Sequence, residues 1–178
     1  MKGVSKLTEL TILKFGDPLL RKKCKTVDTI NDRLLTLLDD MANTLYAGPN
    51  RAGLAAPQVG VARRVVVLDC GDGLLELINP EIISMSGEQT GSEACLSMPG
   101  VYGVVKRYNH VVVKTLTRSG EEITIEAEGF LARCIQHEVE HLDGILFIDH
   151  VPPGHLFDEK SKESVDVFEV IKLSKQCN

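Results

Sequence analysis

Arg64-Val65-Val66-Val67-Leu68-Asp69-Cys70-Gly71-Asp72-Gly73-Leu74-Leu75-Glu76-Leu77-Ile78 is the stretch on which the fold class turns. Two short apolar runs flank Gly-Asp-Gly, and those glycines supply the positive φ angles that a tight hairpin needs. A connection this short joins antiparallel strands, because a parallel pair needs a crossover of a dozen or more residues. Downstream, Val111-Val112-Val113 and Ile123-Thr124-Ile125 repeat the arrangement around Ser119-Gly120. Arg64 to about Ile125 is therefore predicted to be antiparallel sheet.

Helical spacing appears on both sides of this region. Asn31 to Tyr46 places Leu34, Leu35, Leu38, Met41, Ala42 and Leu45 at intervals of three and four, with Gly48-Pro49 as a stop. Phe130 to Leu142 does the same with Leu131, Cys134, Ile135 and Val139, and Gly144 is placed to cap its C-terminal end. The expected class is α+β: mainly antiparallel sheets around a central helix, the second, with the N-terminal helix packed alongside. A further amphipathic stretch, Val165 to Leu173, follows Pro152-Pro153-Gly154. The sequence contains no internal repeat and no low-complexity segment.

A chain of 178 residues suits a single domain able to bury roughly 70% of its unfolded surface. We read residues 1–178 as one catalytic domain and leave 152–178 without an assigned role. The net charge of -5 has the wrong sign for neutralising phosphate backbones, so direct nucleic-acid binding is not expected. The first residues lack the apolar core of a secretion signal, and no apolar run approaches the ~18 residues of a membrane span, which points to a cytoplasmic protein without a membrane partner. Five scattered cysteines in such a chain argue against a disulfide framework. Cys24, Cys70, Cys134 and Cys177 read as ordinary thiols.

The second helix also carries chemistry. His137-Glu138-Val139-Glu140-His141 matches H-E-x-x-H, and residues four apart on a helix lie about 40° apart around its axis, so both imidazoles can reach one ion. Glu138, one residue on, is placed to act as general acid and base on water at such an ion. Glu140 and Asp143 lack the motif's spacing and read as solvated acids. A catalytic metal usually takes three protein ligands, leaving a position for water. His150 and His155 lie in a Pro-Gly segment of unsuitable spacing, so an upstream third ligand is considered.

Two upstream segments are rich in small residues. Gly91-Ser92-Glu93-Ala94-Cys95-Leu96-Ser97-Met98-Pro99 holds a cysteine, which is either a buried thiol or a ligand. Arg51-Ala52-Gly53-Leu54-Ala55-Ala56-Pro57-Gln58 is either a packed turn or a cleft wall whose Gln58 amide donates to a polarised carbonyl.

The order G-x-A-A-x-Q, E-x-C-L-S and Q-H-E-x-x-H-x-x-G resembles the peptide deformylase family over about residues 8 to 151. That family removes the formyl group from N-terminal formylmethionine of new polypeptides. The resemblance implies Cys95, His137 and His141 as metal ligands, Glu138 as the catalytic glutamate, and Gln58 with the Leu96 backbone N–H as oxyanion stabilisers. It implies Gly53 as a backbone contact for substrate, and a methionine pocket around Ala52, Phe130, Cys134 and His137. It also pairs Glu93 with Arg107. Fe(II) is the favoured divalent ion, with Zn(II) the alternative that the same ligands suit. The implied partners are N-formylmethionyl peptides, nascent chains at the ribosome among them.

Arg51 stands where the family usually has Gly, Ala94 likewise, and Arg133 where an apolar residue is also common. An H-E-x-x-H metallopeptidase would draw its third ligand from downstream of the helix, and a structural metal domain would close the coordination sphere with a fourth side chain.

Overall fold

The computed structural model describes residues 8–168 and 170. Helix α1 (Asp32–Tyr46) begins at Asn31, whose side chain accepts from the Leu34 N–H at 3.1 Å. That bond satisfies one of the amides a helix start leaves open. The stripe read from the sequence is buried at Leu34, Leu38, Met41 and Leu45.

Among the described residues eight strands follow: β1 (Gly53–Ala55), β2 (Val65–Leu68), β3 (Leu75–Ser86), β4 (Gln89–Cys95), β5 (Met98–Arg107), β6 (His110–Leu116), β7 (Glu122–Glu128) and β8 (Leu156–Asp158). They form a five-stranded sheet in the order β1-β2-β3-β6-β7 and a three-stranded sheet in the order β4-β5-β8. Every neighbouring pair is antiparallel. Both glycine turns connect hairpins, β2 to β3 and β6 to β7. The run read as Leu75 to Ile78 continues to Ser86, and Gly91 to Cys95, within the region expected to be sheet, forms most of β4.

Strand β2 shows why its sequence is uniformly apolar. All four residues are buried: Val65 and Val67 join the cluster built on α1, while Val66 and Leu68 join the cluster built on the second helix. A strand covered on both faces has no polar side to alternate with. That second helix, α2 (Gly129–His141), is buried at nine positions, with Ala132, Ile135 and Val139 packed on the five-stranded sheet. Gly144 closes it as expected: its N–H donates to His141 O at 3.2 Å with φ at +74°.

A third cluster, holding Met98, Val101 and Val105 with Phe147 and Leu156, packs the smaller sheet on the segment that follows α2. Val165 packs on this cluster and Val170 is buried in it, whereas Phe168 is exposed. Residues 169 and 171–173 of the expected amphipathic stretch, and Cys177, lie outside the described residues. No helix among the described residues is long and apolar enough to cross a membrane.

Candidate metal centre

The site forms where α2 meets the ends of β1 and β4. His137 and His141, one turn apart on α2, present rings whose centroids are 5.0 Å apart. Cys95 ends β4, and a two-residue turn, Leu96-Ser97, leads into β5. The ligand atoms of Cys95, His137 and His141 all lie within 4.8 Å of one another, and Cys95 Sγ is 3.4 Å from His141 Nε2. All three residues are buried.

Each imidazole is oriented differently. His137 Nδ1 meets Glu93 Oε2 at 3.0 Å, which leaves its other nitrogen for the side facing Cys95. Burial opposes a charged His137, but hydrogen bonds to Cys95 and Glu93 outweigh it and set its pKa well above the ordinary value. Burial, reinforced by His137, holds His141 well below that value, so His141 is a neutral imidazole. A cation bound here would displace a proton from His137.

Glu138 faces β1: its Oε1 and Cγ fill the space over Gly53 that a Cβ would need. Burial pushes its carboxyl up to about 7, with His137 opposing and Glu93 adding to the rise. Its Oε2 is buried without a hydrogen-bond partner among the described residues, as is His141 Nδ1. A soft thiolate, two imidazoles and an unpaired carboxylate oxygen beside them fit a divalent transition metal with a water in reach of Glu138.

Gln58 is locked from both ends. Its Oε1 accepts from the Ala55 N–H at 2.8 Å, while its Nε2 donates to Ser97 Oγ at 3.2 Å and lies 3.4 Å from Cys95 Sγ. The chain before α1 ties the two upstream motifs together, since Leu13 N donates to Gln58 O and Phe15 N to Ser97 O. Ser97 enters the sequence reading only as the last position of E-x-C-L-S, and a small hydroxyl residue in a turn does not by itself signal this role.

A cleft of about 580 Å³ opens over the site. Ala52, Gly53, Gln58, Cys95, Leu96, Phe130, Cys134, His137 and Glu138 all line it, whereas His141 lies behind them. The Glu93–Arg107 pair is present and bidentate, at 2.9 and 3.0 Å. Glu140 corrects the reading of it as a solvated acid: it pairs with Arg107 Nη1 at 2.7 Å and with His150 at 2.9 Å. Asp143 likewise pairs with Arg64 at 2.9 Å. Arg51 turns its guanidinium to Thr44 O at the end of α1. Cys24, Cys70 and Cys134 are free thiols.

The family model described as Polypeptide deformylase matches residues 9–156. The peptide deformylase of Acetivibrio thermocellus is 61% identical over 136 residues, covering 76% of this chain and 79% of that protein. That of Thermoanaerobacter sp. is 54% identical over 157 residues, covering 88% and 93%. Among solved structures, the Thermotoga maritima peptide deformylase superposes with a TM-score of 0.78 at 39% identity, covering 81% of this chain and 98% of that one. The Synechococcus elongatus peptide deformylase, solved in complex with actinonin, gives 0.79 at 35% identity, covering 97% and 87%.

Proposed function

This chain belongs to the polypeptide deformylase family, hydrolases that remove the formyl group from N-terminal formylmethionine and release formate, and we propose how its own residues do so. Cys95, His137 and His141 hold one divalent metal, Fe(II) in our reading and Zn(II) as the alternative. When bound, that ion supplies Lewis acidity and makes water acidic enough to lose a proton near neutral pH. Glu138 takes the proton from water as the water oxygen bonds to the formyl carbon. The Gln58 Nε2 and the Leu96 backbone N–H donate to the oxyanion that forms. The C–N bond then breaks, and Glu138 returns its proton to the leaving amine.

Burial raises the Glu138 carboxyl to about 7, which suits a group that must both accept and give a proton. The observation that carries the proposal is this carboxylate, with one oxygen unpaired, beside a buried Cys-His-His group. Ala52, Phe130, Cys134 and His137 would form the wall that receives the methionine side chain, with the Gly53 backbone holding the peptide. The protein would meet its nascent-chain substrates in the cytoplasm, at the ribosome, with residues 1–178 acting as one catalytic unit. Among the described residues no fourth side chain joins the group, which disfavours a closed structural metal site.

Glu138→Gln tests the assignment, because the amide can still hydrogen-bond water but cannot accept its proton. The variant is expected to keep its metal and lose turnover of a formyl-Met peptide by ~10²- to 10⁴-fold. Activity within a few-fold of wild type would remove Glu138 from the mechanism. Cys95→Ala should abolish stoichiometric metal binding, and full metal content in that variant would refute the third ligand.

A further inference from the structure

Glu93 receives more donors than one arginine supplies. Its Oε1 accepts from Arg107 Nε at 2.9 Å and from Arg133 Nη1 at 2.8 Å. Its Oε2 accepts from Arg107 Nη2 at 3.0 Å and meets His137 Nδ1 at 3.0 Å. One buried carboxylate thus serves two buried guanidiniums and an imidazole.

The two arginines differ in what else they hold. Arg107 Nη1 pairs with Glu140, which offsets its charge a second time. The other acceptors of Arg133 are neutral: Gly91 O at 3.3 Å, Val105 O at 3.1 Å and Gln89 Oε1 at 3.3 Å. Its compensation therefore depends on Glu93, since a buried guanidinium without a counter-charge is costly.

Position on the helix gives this a direction. Arg133 lies four residues before His137 on α2, on the same face. Glu140 lies three residues after it and reaches the same carboxylate through Arg107. His137 is thereby bracketed by two struts that run from α2 to the β4–β5 hairpin, the hairpin that also carries Cys95. With the second strut alone, the hairpin could pivot about Arg107 and Glu140.

We infer that Arg133 is a positioning residue for the metal site: by fixing the Glu93 carboxylate and strapping β4 to α2, it sets the spacing between His137 and Cys95. This rests on the assignment of those two residues as metal ligands. Groups that orient a ligand from behind typically change metal affinity 10- to 100-fold when removed.

The test uses protein loaded with Co(II), whose visible d–d bands report ligand geometry and whose thiolate charge-transfer band reports Cys95. Arg133→Leu is expected to release Co(II) to a chelator at least ~10-fold faster than wild type, with shifted d–d bands. Arg133→Lys, which keeps a charge for Glu93 but cannot span to both main-chain oxygens, should recover part of the loss. A folded Arg133→Leu with the wild-type spectrum and release rate overturns the inference. Should that variant fail to fold, Arg133→Lys decides: faster release supports it and a wild-type rate overturns it. Wild-type protein that shows no thiolate band would instead refute the ligand assignment, leaving a different failure to read.

Discussion

Glu93 is a carboxylate whose charge is made affordable by its partners alone. Burial pushes its carboxyl up, but hydrogen bonds from His137 and Arg107 outweigh burial and bring it down to about 2, from 4.5. A depressed carboxyl contributes stability that is present above the unfolded value and lost as the pH falls through the folded one. For the metal-free protein, in which His137 can carry its proton, the loss should run from about pH 4.5 down to about 2. At ~1.4 kcal/mol per pKa unit, the contribution is on the order of 3 kcal/mol. Urea unfolding of the metal-free protein at pH 7, 4 and 3 should therefore show a steeper acid loss in wild type than in Glu93→Gln, which starts less stable at pH 7. Parallel pH dependences would show that Glu93 is not held by its partners. At this scale the motif residues were legible because a helix turns four-residue spacing into adjacency, whereas Arg133 was not. Its spacing from His137 gives the face it occupies, and only the pairing of β4 with β5 shows what that face meets.

Among the elements, helices and long apolar strands were legible, and the strands built from small residues were not. β4 contains Gly91, Ser92 and Ala94, residues with little intrinsic preference for a strand. It forms because it pairs with β5 along its length and is gripped by Arg133 from α2. β1 is similar: three residues held by β2, which is itself clamped between the two helices. Arg51 shows how an element can recruit a residue from beyond its end. The last turn of α1 has no basic residue, and Arg51 supplies one by donating to Thr44 O, with Glu9 3.8 Å away. A cation at a helix C-terminus is worth ~0.3 to 1 kcal/mol, and a part-exposed hydrogen bond ~0.5 to 1.5 kcal/mol. Arg51→Ala should lower stability by ~1 kcal/mol, or about 2 to 4 °C in Tm, and leave turnover of a short formyl-Met peptide within about two-fold. A raised KM with an unchanged Tm would mean that Arg51 serves the cleft instead of the helix.

The whole molecule makes its site by bringing an edge strand against a covered helix. β1 is the edge of the larger sheet, and β4 is an edge of the smaller one, so the cleft lies between two strand edges with α2 as its floor. This arrangement gives Gly53 a role that the resemblance did not imply. A Cβ there would sit 2.5 Å from Glu138 Oε1, 2.7 Å from its Cγ and 2.8 Å from its Cδ. The backbone of Gly53 cannot easily retreat, because Gly53 pairs with Leu68 and Leu68 is buried against α2. Glu138 has to move. In Gly53→Ala the carboxylate should leave its place over the metal site while Cys95, His137 and His141, anchored on β4 and α2, stay where they are. The expected outcome is near-native metal content, a Tm within a few degrees of wild type, and kcat/KM on a formyl-Met peptide reduced by about as much as losing the acid/base itself, ~10²-fold or more. Loss of metal along with activity would mean that the helix shifted rather than the side chain. Activity within a few-fold of wild type would mean that β1 yields, and that the close fit between Gly53 and Glu138 is not what places the carboxylate.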